Sequence, residues 1–413
     1  MNIACVGRSA VGVALVSAAL PALAGGLYAY DANPADAHSA RAAWLNPAAM
    51  TASEKPALEA SAAIVVPVMK FDSDIATVAG DDGGNAGIVG AIPEFSYVRP
   101  LGGNWWFGFS AVGLFGGGVD YGDDFVGRYS VSEVELMGVG LVPSIAYRFN
   151  DRFSLGAGIS LTRSQLDQKI AFRNIGAADG QVHFDNLDDF GVQPFAGMTL
   201  RLGPATTLGL VYRAEMDIEL EGDVQFSNIA PNVNPRPNFE REAKVDWTNA
   251  QTVELGLEQA LSERDIVTIT GTWEDWSVFD DNVIAVDAVN LANVRPITLR
   301  RNWKDTFSVG ANYVRLVGQQ ALSVGVKYVS SPVDDADRTF DLPYDDYVRI
   351  NLGYQFAPRG AMTYSLGGSI MITGDAAIDQ TFHRGTPLQS RVSGEFDTNI
   401  VYVVGGAVRY NFD

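Results

Sequence analysis

A two-residue alternation of apolar and polar side chains recurs along this chain and limits what it can fold into. Between residues 208 and 221 every even position is apolar, and five of the seven odd positions are charged. The pattern returns at 153–161, 307–313, 348–356 and 400–412. Because successive side chains of a β-strand point to opposite faces, this period predicts strands with one apolar and one polar face.

Two kinds of fold accept such strands. In a soluble sandwich the apolar face packs into the core and the polar face meets water. In an outer-membrane barrel the apolar face meets lipid and the polar face lines the lumen. Beyond residue 24 no apolar stretch approaches the roughly 18 residues of a spanning helix. A membrane-embedded chain of this composition must therefore be a closed barrel, because lipid leaves no partners for open backbone groups.

The lengths of the predicted connections separate the two folds. About fourteen strands are predicted, and short turns alternate with long loops along the whole chain. Bacterial barrels have short periplasmic turns and long extracellular loops, whereas a sandwich has no reason to alternate them. We therefore predict an all-β transmembrane barrel of about 14 antiparallel strands over residues 57–413. The predicted strands are 57–70, 91–101, 104–115, 130–149, 152–165, 187–202, 205–225, 247–260, 263–276, 298–316, 320–329, 345–357, 361–374 and 396–412.

The N-terminal region contains two segments that do not alternate. Residues 1–24 combine Arg8, an apolar run and a final Ala-Leu-Ala, which predicts a signal peptide cleaved after Ala24. The only cysteine, Cys5, lies inside it, so the mature chain has no thiol for disulfides or metal binding. Residues 25–56 precede the first strand and are rich in alanine and turn residues. A barrel of this size needs its lumen filled or left open, so we predict that this segment is a plug, or hatch.

Charge and motif content exclude several classes of function. The 49 acidic and 29 basic residues give a net charge of −20, which argues against a nucleic-acid partner. His38, His183 and His383 are far apart in sequence, and no catalytic or metal-ligand spacing occurs. No phosphate-binding loop is present either. We therefore predict no enzymatic activity, no cofactor and no bound metal.

Several stretches resemble the FadL-type long-chain fatty acid transporters of the bacterial outer membrane. Asn-Pro-Ala-Ala-Met at residues 46–50 resembles the hatch signature of that family. Residues 142–161, 272–279, 302–313 and 330–356 resemble further family segments in the family order. The resemblance implies a fourteen-stranded barrel with an N-terminal hatch, located in the bacterial outer membrane. It also implies passive uptake of fatty acids or similar hydrophobic molecules, with aromatic or alkane hydrocarbons as the alternative cargo.

The resemblance further implies a route for the ligand. Loops capture it, a buried apolar pocket holds it, and it leaves sideways into the bilayer through a gap at a kinked third strand. Gly116, Gly117 and Gly118 lie where that strand is predicted to end and could form the kink, although they could equally begin a flexible loop. The expected surroundings are outer-membrane lipid, lipopolysaccharide and the barrel-assembly machinery, and the expected state is a monomer.

Candidate site residues follow from loop position and strand parity. Predicted loops 166–186 and 226–246 carry apolar residues that could capture a ligand, or could simply pack against each other. Inward-facing cations could pair an anionic head group, or could form internal salt bridges with Glu254, Glu258 or Glu274. The capture candidates are Phe172, Ile175, Phe184, Phe226, Ile229 and Phe239; the head-group candidates are Arg300, Lys304, Lys327 and Arg349; the hatch candidates, gating or static, are Asp31, Asn33, Asn46 and Pro47.

Two readings from other classes stay open at this point. A general porin for hydrophilic solutes would use the same fold with an open lumen. A surface adhesin or purely structural barrel would transport nothing. The alternation of apolar and polar side chains is equally compatible with both.

Overall fold

The computed structural model describes residues 33–36, 39–231, 234–279, 281–286, 297–382 and 388–412. Within these ranges the side chains of 281–284, 286 and 297–300 are not described. The predicted signal peptide, the start of the predicted hatch with Asp31, and the side chain of Arg300 therefore lie outside the described part of the chain.

The described residues form one closed antiparallel barrel. Strand β1 pairs with β2 on one side and with β19 on the other, which closes the ring. Five barrel strands each consist of two segments, namely β7 with β8, β9 with β10, β11 with β12, β13 with β14 and β17 with β18, so nineteen segments make fourteen strands. This confirms the predicted fold. The segments are β1 Ala57–Ala76, β2 Gly90–Gly102, β3 Trp105–Asp120, β4 Glu133–Arg148, β5 Phe153–Phe172, β6 Gly180–Gly203, β7 Thr206–Arg213, β8 Met216–Ser227, β9 Phe239–Asn249, β10 Thr252–Ala260, β11 Asp265–Glu274, β12 Asp281–Val286, β13 Ile297–Arg300, β14 Thr306–Val317, β15 Gln320–Val329, β16 Tyr347–Gln355, β17 Met362–Thr373, β18 Ile378–Phe382 and β19 Ser390–Asn411.

Helical structure is sparse. Helix α1 spans Ala42–Leu45, and 3₁₀ turns span Pro47–Ala52 and Trp276–Val278. The first 3₁₀ turn begins where Asn46 caps it, its side chain accepting from the backbone of Ala48. Across the described residues we find no helix with the length and apolar character needed to cross a membrane.

The split strands change which face is apolar, and this corrects the prediction for residues 208–221. In β7 the odd residue Val211 is fully buried and the even residue Tyr212 is 45% exposed, as the lipid-facing pattern requires. In β8 the even residue Leu220 is buried, while Glu219 points outward. The break at residues 214–215 shifts the parity by one. Above the bilayer the outer face meets water, so the apolar face turns inward as in a soluble protein.

The same break occurs between β9 and β10. Val245 is buried inside the barrel in β9, whereas Leu255 of β10 is 52% exposed on the outside. The barrel therefore has a membrane zone with apolar outer positions and an extracellular extension with charged outer positions. Aromatic side chains fill the top of that extension: Tyr121 stacks on Phe125 at 4.2 Å between ring centroids, and Phe340 meets Phe125 edge-on at 5.1 Å.

Candidate functional site

The N-terminal segment, here residues 33–36 and 39–56, packs inside the barrel on a line of glycines. A Cβ atom added at Gly197 would lie 2.1 Å from Oδ1 of Asn46, and one at Gly209 would lie 2.1 Å from the carbonyl oxygen of Pro34. Only glycine lets a second backbone approach a strand so closely. Five strands contribute to this line, which we call the glycine belt: Gly108, Gly156, Gly197, Gly209 and Gly256.

Polar contacts hold the same segment to the wall. Arg41 donates to Glu94 at 2.9 Å, with both side chains about 4% exposed. Asn46 donates to the carbonyl oxygen of Met198, and Arg213 donates to the carbonyl oxygens of Trp44 and Leu45. Asn33, Asn46 and Pro47, predicted from sequence, thus lie in the lumen in this segment.

Above this segment lies an interior pocket of about 1200 Å³, counting the space open to solvent. Its lining combines apolar surface with charged groups, the composition expected for an amphiphilic ligand. Trp44 and Leu45 form its floor, and β3 contributes Leu114 and Phe115. Other lining residues are the apolar Met216, Trp247, Trp276 and Val329 and the charged Arg213, Glu254, Glu274 and Lys327.

Two of the four predicted head-group cations face the lumen at this level. Lys327 and Arg349 are directly opposite each other on β15 and β16 and are 8% and 4% exposed. Lys327 lines the pocket together with Glu274, which accepts from Trp276 and Thr306. The pocket therefore contains charged groups of both signs.

Lys304 does not line the pocket, and the strand parity used to predict its position does not apply. Residues 301–305 leave the strand, so the parity of Phe307 does not extend back to residue 304. The Lys304 side chain is half exposed and forms a salt bridge with Asp334. Arg300 ends β13, and its side chain lies outside the described part of the chain.

The predicted capture residues mostly lie in strands and pack against other side chains. Strands β5, β6, β8 and β9 extend through the predicted loops and carry Phe172, Phe184, Phe226 and Phe239. Phe184 and Ile229 are 4% and 2% exposed, so the expectation of exposed capture groups is wrong for them. Phe226 and Phe239 stack on each other at 4.5 Å between centroids, and Phe172 is half-buried. Ile175 alone of the six is strongly exposed, at 64%.

The hydrogen-bond ladder between β2 and β3 is interrupted, and we call the unpaired stretch of the wall the window. Their ladder ends at Glu94 and Val112, and the next contact is a bridge between Gly87 and Val119. Leu114 is an extra residue in β3, because Gly113 pairs with Val139 and Phe115 with Gly138. A bulge of this kind bends its strand and interrupts pairing. Pro93, which has no amide hydrogen to donate, lies at the end of the ladder.

Gly116, Gly117 and Gly118 lie beyond this bulge. They remain paired with β4, and β3 continues to Asp120, so they do not begin a loop. All three are buried, which breaks the alternation of β3. The window thus lies beside the pocket, which Leu114 and Phe115 line.

Comparison with known proteins shows which family this barrel belongs to. Residues 5–412 match the family described as outer membrane protein transport protein (OMPP1/FadL/TodX). The chain belongs to this family. It is therefore a bacterial outer-membrane protein of a family that transports hydrophobic compounds, and the resemblance inferred from sequence is confirmed.

Individual relatives are distant. A long-chain fatty acid transport protein of Escherichia coli O6:H1 is 20% identical over 376 residues, which covers 83% of each chain. The crystal structure of a Pseudomonas aeruginosa FadL homologue superposes with a TM-score of 0.82 at 18% identity, covering 97% of this chain and 100% of that one. The toluene transporter TodX of P. putida superposes at 0.69 with 17% identity, covering 97% and 99%. At these identities the structural likeness shows the fold.

Sequence reasoning missed one residue of this FadL-family site and one cluster outside it. Arg213 was seen only as one charged position of an alternating strand, yet it holds the N-terminal segment and lines the pocket. Asp167, His183 and Asp185 bring potential metal-ligating atoms within 4.8 Å on the outer face, and His183 pairs with Asp167 at 3.0 Å. These groups are on neighbouring strands, so only the strand register could have brought them together.

An ion pair in the extracellular part of this FadL-family barrel gives a pH prediction. Burial would raise the pKa of Asp341, but the charge and hydrogen bonds of Arg301, 2.7 Å away, hold that pKa below its usual value. A carboxyl group whose pKa is lower in the folded state stabilises the protein fully at pH values above its unfolded-state pKa. That stabilisation is lost as the pH falls through the folded-state pKa. We expect the loop at 330–346 to loosen below about pH 4.

Fluorescence of the buried Trp303, which packs on Tyr344 of that loop, would report the change. Asp341→Asn should produce the same signal at neutral pH, because breaking a buried pair costs on the order of 3 kcal/mol. Asp379→Asn, in the exposed pair with Arg391, is the matched control and should change nothing. Identical pH profiles for the wild type and Asp341→Asn would contradict this assignment.

Proposed function

We propose that this protein carries out passive, non-catalytic uptake of long-chain fatty acids or closely similar amphiphiles. One observation carries the proposal: a mixed apolar and charged pocket lies directly beside a window in the barrel wall. An apolar tail that leaves water gains roughly 25 cal/mol per Å² of buried surface, so no energy source is required. The ligand would reach the pocket from outside and leave through the window into the bilayer. The N-terminal segment would act as the hatch.

The charged lining supports an anionic head group. A carboxylate taken into an apolar pocket needs a paired cation, and Lys327 is present in the lining with Arg349 opposite it. Trp44, Trp247 and Trp276 offer apolar surface for the tail. The alternative cargo, an aromatic or alkane hydrocarbon, would use the same apolar surface, as the likeness to a toluene transporter suggests, and would have no use for the cations.

Replacing both cations tests the choice between these cargos. In purified protein Lys327→Met with Arg349→Met should weaken oleate binding by roughly tenfold or more, because an anion would lose its countercharge. Binding of toluene should stay within about twofold, since a neutral ligand makes no use of the charges. Lys304→Met, at the exposed pair with Asp334, is the matched control and should change neither affinity.

Unchanged oleate affinity in the double variant would remove the head-group assignment and favour the hydrocarbon. Loss of both ligands would instead indicate a damaged pocket. Titration by tryptophan fluorescence is suited to the pocket, because Trp44, Trp247 and Trp276 line it.

A further inference from the structure

Two cavities follow the same part of the barrel wall at different heights. The ligand pocket reaches down to Ser308 on β14 and Lys327 on β15. A second cavity of about 1490 Å³, counting space open to solvent, lies nearer the periplasmic turns and begins at Val314 on β14 and Ala321 on β15. We call it the periplasmic vestibule. Only two inward-facing positions on β14, residues 310 and 312, separate the two cavities along that strand.

The wall between the cavities carries short, mostly polar side chains. One transverse row of paired positions crosses it on five successive strands, and its members are glycine, threonine, serine and asparagine. The absence of a side chain at Gly325 makes room for its neighbours, since a Cβ there would lie 2.8 Å from Oδ1 of Asn312 and Nδ2 of Asn351. We call this set the amide row: Thr268, Asn312, Gly325, Asn351 and Ser369.

The amide row contains buried polar atoms with no protein partner. Asn312 and Asn351 are 7% and 1% exposed, and neither the nitrogen nor the oxygen of either amide has a hydrogen-bond partner among the described residues. The hydroxyl group of Ser369 is also buried and has no hydrogen-bond partner among the described residues. Leaving a buried polar group without a partner is unfavourable, so five such atoms side by side indicate bound water.

The N-terminal segment shows the same contrast on its two sides. Towards β6 and β7 it has direct hydrogen bonds, from Asn46 to Met198 and from Arg213 to Trp44. Towards β10 it presents Asn33, which is 2% exposed and packs on Gly256, and the amide nitrogen of Asn33 has no partner among the described residues. Gly256 is paired with Thr270 on β11, which follows Thr268 of the amide row by two residues. The unpartnered amide nitrogen of Asn33 therefore lies towards the same strands that carry the amide row.

We propose that a file of water molecules crosses the amide row, parallel to the strands, and connects the ligand pocket with the periplasmic vestibule. The amide and hydroxyl groups form hydrogen bonds with each passing water molecule and so replace some of its hydrogen bonds to other waters. Lys327 and Arg349 stand one row above, so their charges oppose the passage of cations. The pocket is hydrated from the periplasmic side. The path does not depend on the cargo; if a fatty acid binds as proposed above, its head group stays in contact with this water while the tail enters the bilayer.

The absence of cysteine after residue 5 allows a direct test in the mature, lipid-reconstituted protein. Asn351→Cys places a thiol in the amide row, and Leu352→Cys, the next residue, places one on the lipid-facing side, where Leu352 is 63% exposed. A small sulfonate-bearing thiosulfonate reagent reacts only with a hydrated thiol, because the ionised thiolate attacks its sulfenyl sulfur, forms a mixed disulfide and releases a sulfinate. Asn351→Cys should react at least roughly tenfold faster than Leu352→Cys in the folded barrel, and both should react fully after heat unfolding.

A second substitution tests where the water comes from. Ser323 faces the lumen between the amide row and the vestibule, opposite Val314, so Ser323→Leu should slow the reaction of Asn351→Cys by roughly fivefold, and Ser323→Ala should not. Equal rates for Asn351→Cys and Leu352→Cys would mean a dry row and would overturn the proposal. A rate unaffected by Ser323→Leu would overturn the connection to the vestibule. No ligand is present in these measurements, so they do not depend on the outcome of the transport experiments.

Discussion

Replacing Gly197 and Gly209 together by leucine is expected to open this barrel to ions. Each new Cβ would fall 2.1 Å from an atom of the N-terminal segment, a separation that no packing allows, so the segment must leave its seat. Neither glycine has a positive φ, so the strands themselves accept leucine. A fourteen-stranded barrel without its filling has an aqueous lumen. Conductance in planar bilayers should rise from near background by roughly tenfold or more.

The matched control is Gly271→Leu in β11. Gly271 shares the parity of the exposed Ile269, and a Cβ there would meet only the carbonyl oxygen of Ser308 at 3.9 Å. This variant should remain as quiet as the wild type. Ion conductance of the wild type at the level of the double variant would instead favour the general porin, because it would mean that the segment does not close the lumen.

Deleting Leu114 is expected to abolish uptake without unfolding the barrel. Leu114 is the extra residue of β3, so its removal leaves Gly113 opposite Val139 and Phe115 opposite Gly138. The straightened strand can then continue its ladder with β2 and close the window. Uptake of oleate by cells should fall below roughly a tenth of the wild-type rate, because the lateral route is closed.

Leu114→Ala is the matched control, since it removes the same pocket-lining side chain but keeps the bulge. It should retain most of the uptake. Equal losses in the two variants would place the effect in the pocket and not in the window. Full uptake by the deletion variant would show that the ligand leaves by another path.

The sequence predicted the membrane zone of this barrel well and its extracellular extension poorly. Alternation depends only on which side of a strand meets lipid, so all fourteen strands were found near their observed positions. It fails at residues 214–215 and 250–251, where one extra residue reverses the faces and the outer surface changes from lipid to water. Loops 166–186 and 226–246 were misread for the same reason, because strands that rise above the bilayer carry many charges.

The site was only partly predictable. Lys327 and Arg349 lie in regular strands, so their parity could be read directly, whereas Lys304 lies in an irregular stretch where parity has no meaning. The glycine belt and the role of Arg213 depend on contacts between residues that are far apart in the sequence, such as Arg213 and Trp44. The window was suggested by three glycines, yet its cause is the neighbouring Leu114, which no local pattern distinguishes from an ordinary strand residue.

The most direct test of the proposed transport is uptake of radiolabelled oleate by cells that lack their own fatty acid transporter. Cells that produce this protein should accumulate oleate well above cells carrying an empty vector, and cells that produce the Leu114 deletion should not. Uptake equal to the empty vector, with the protein folded in the outer membrane, would contradict the account and favour a hydrocarbon carrier or a barrel with no transport role.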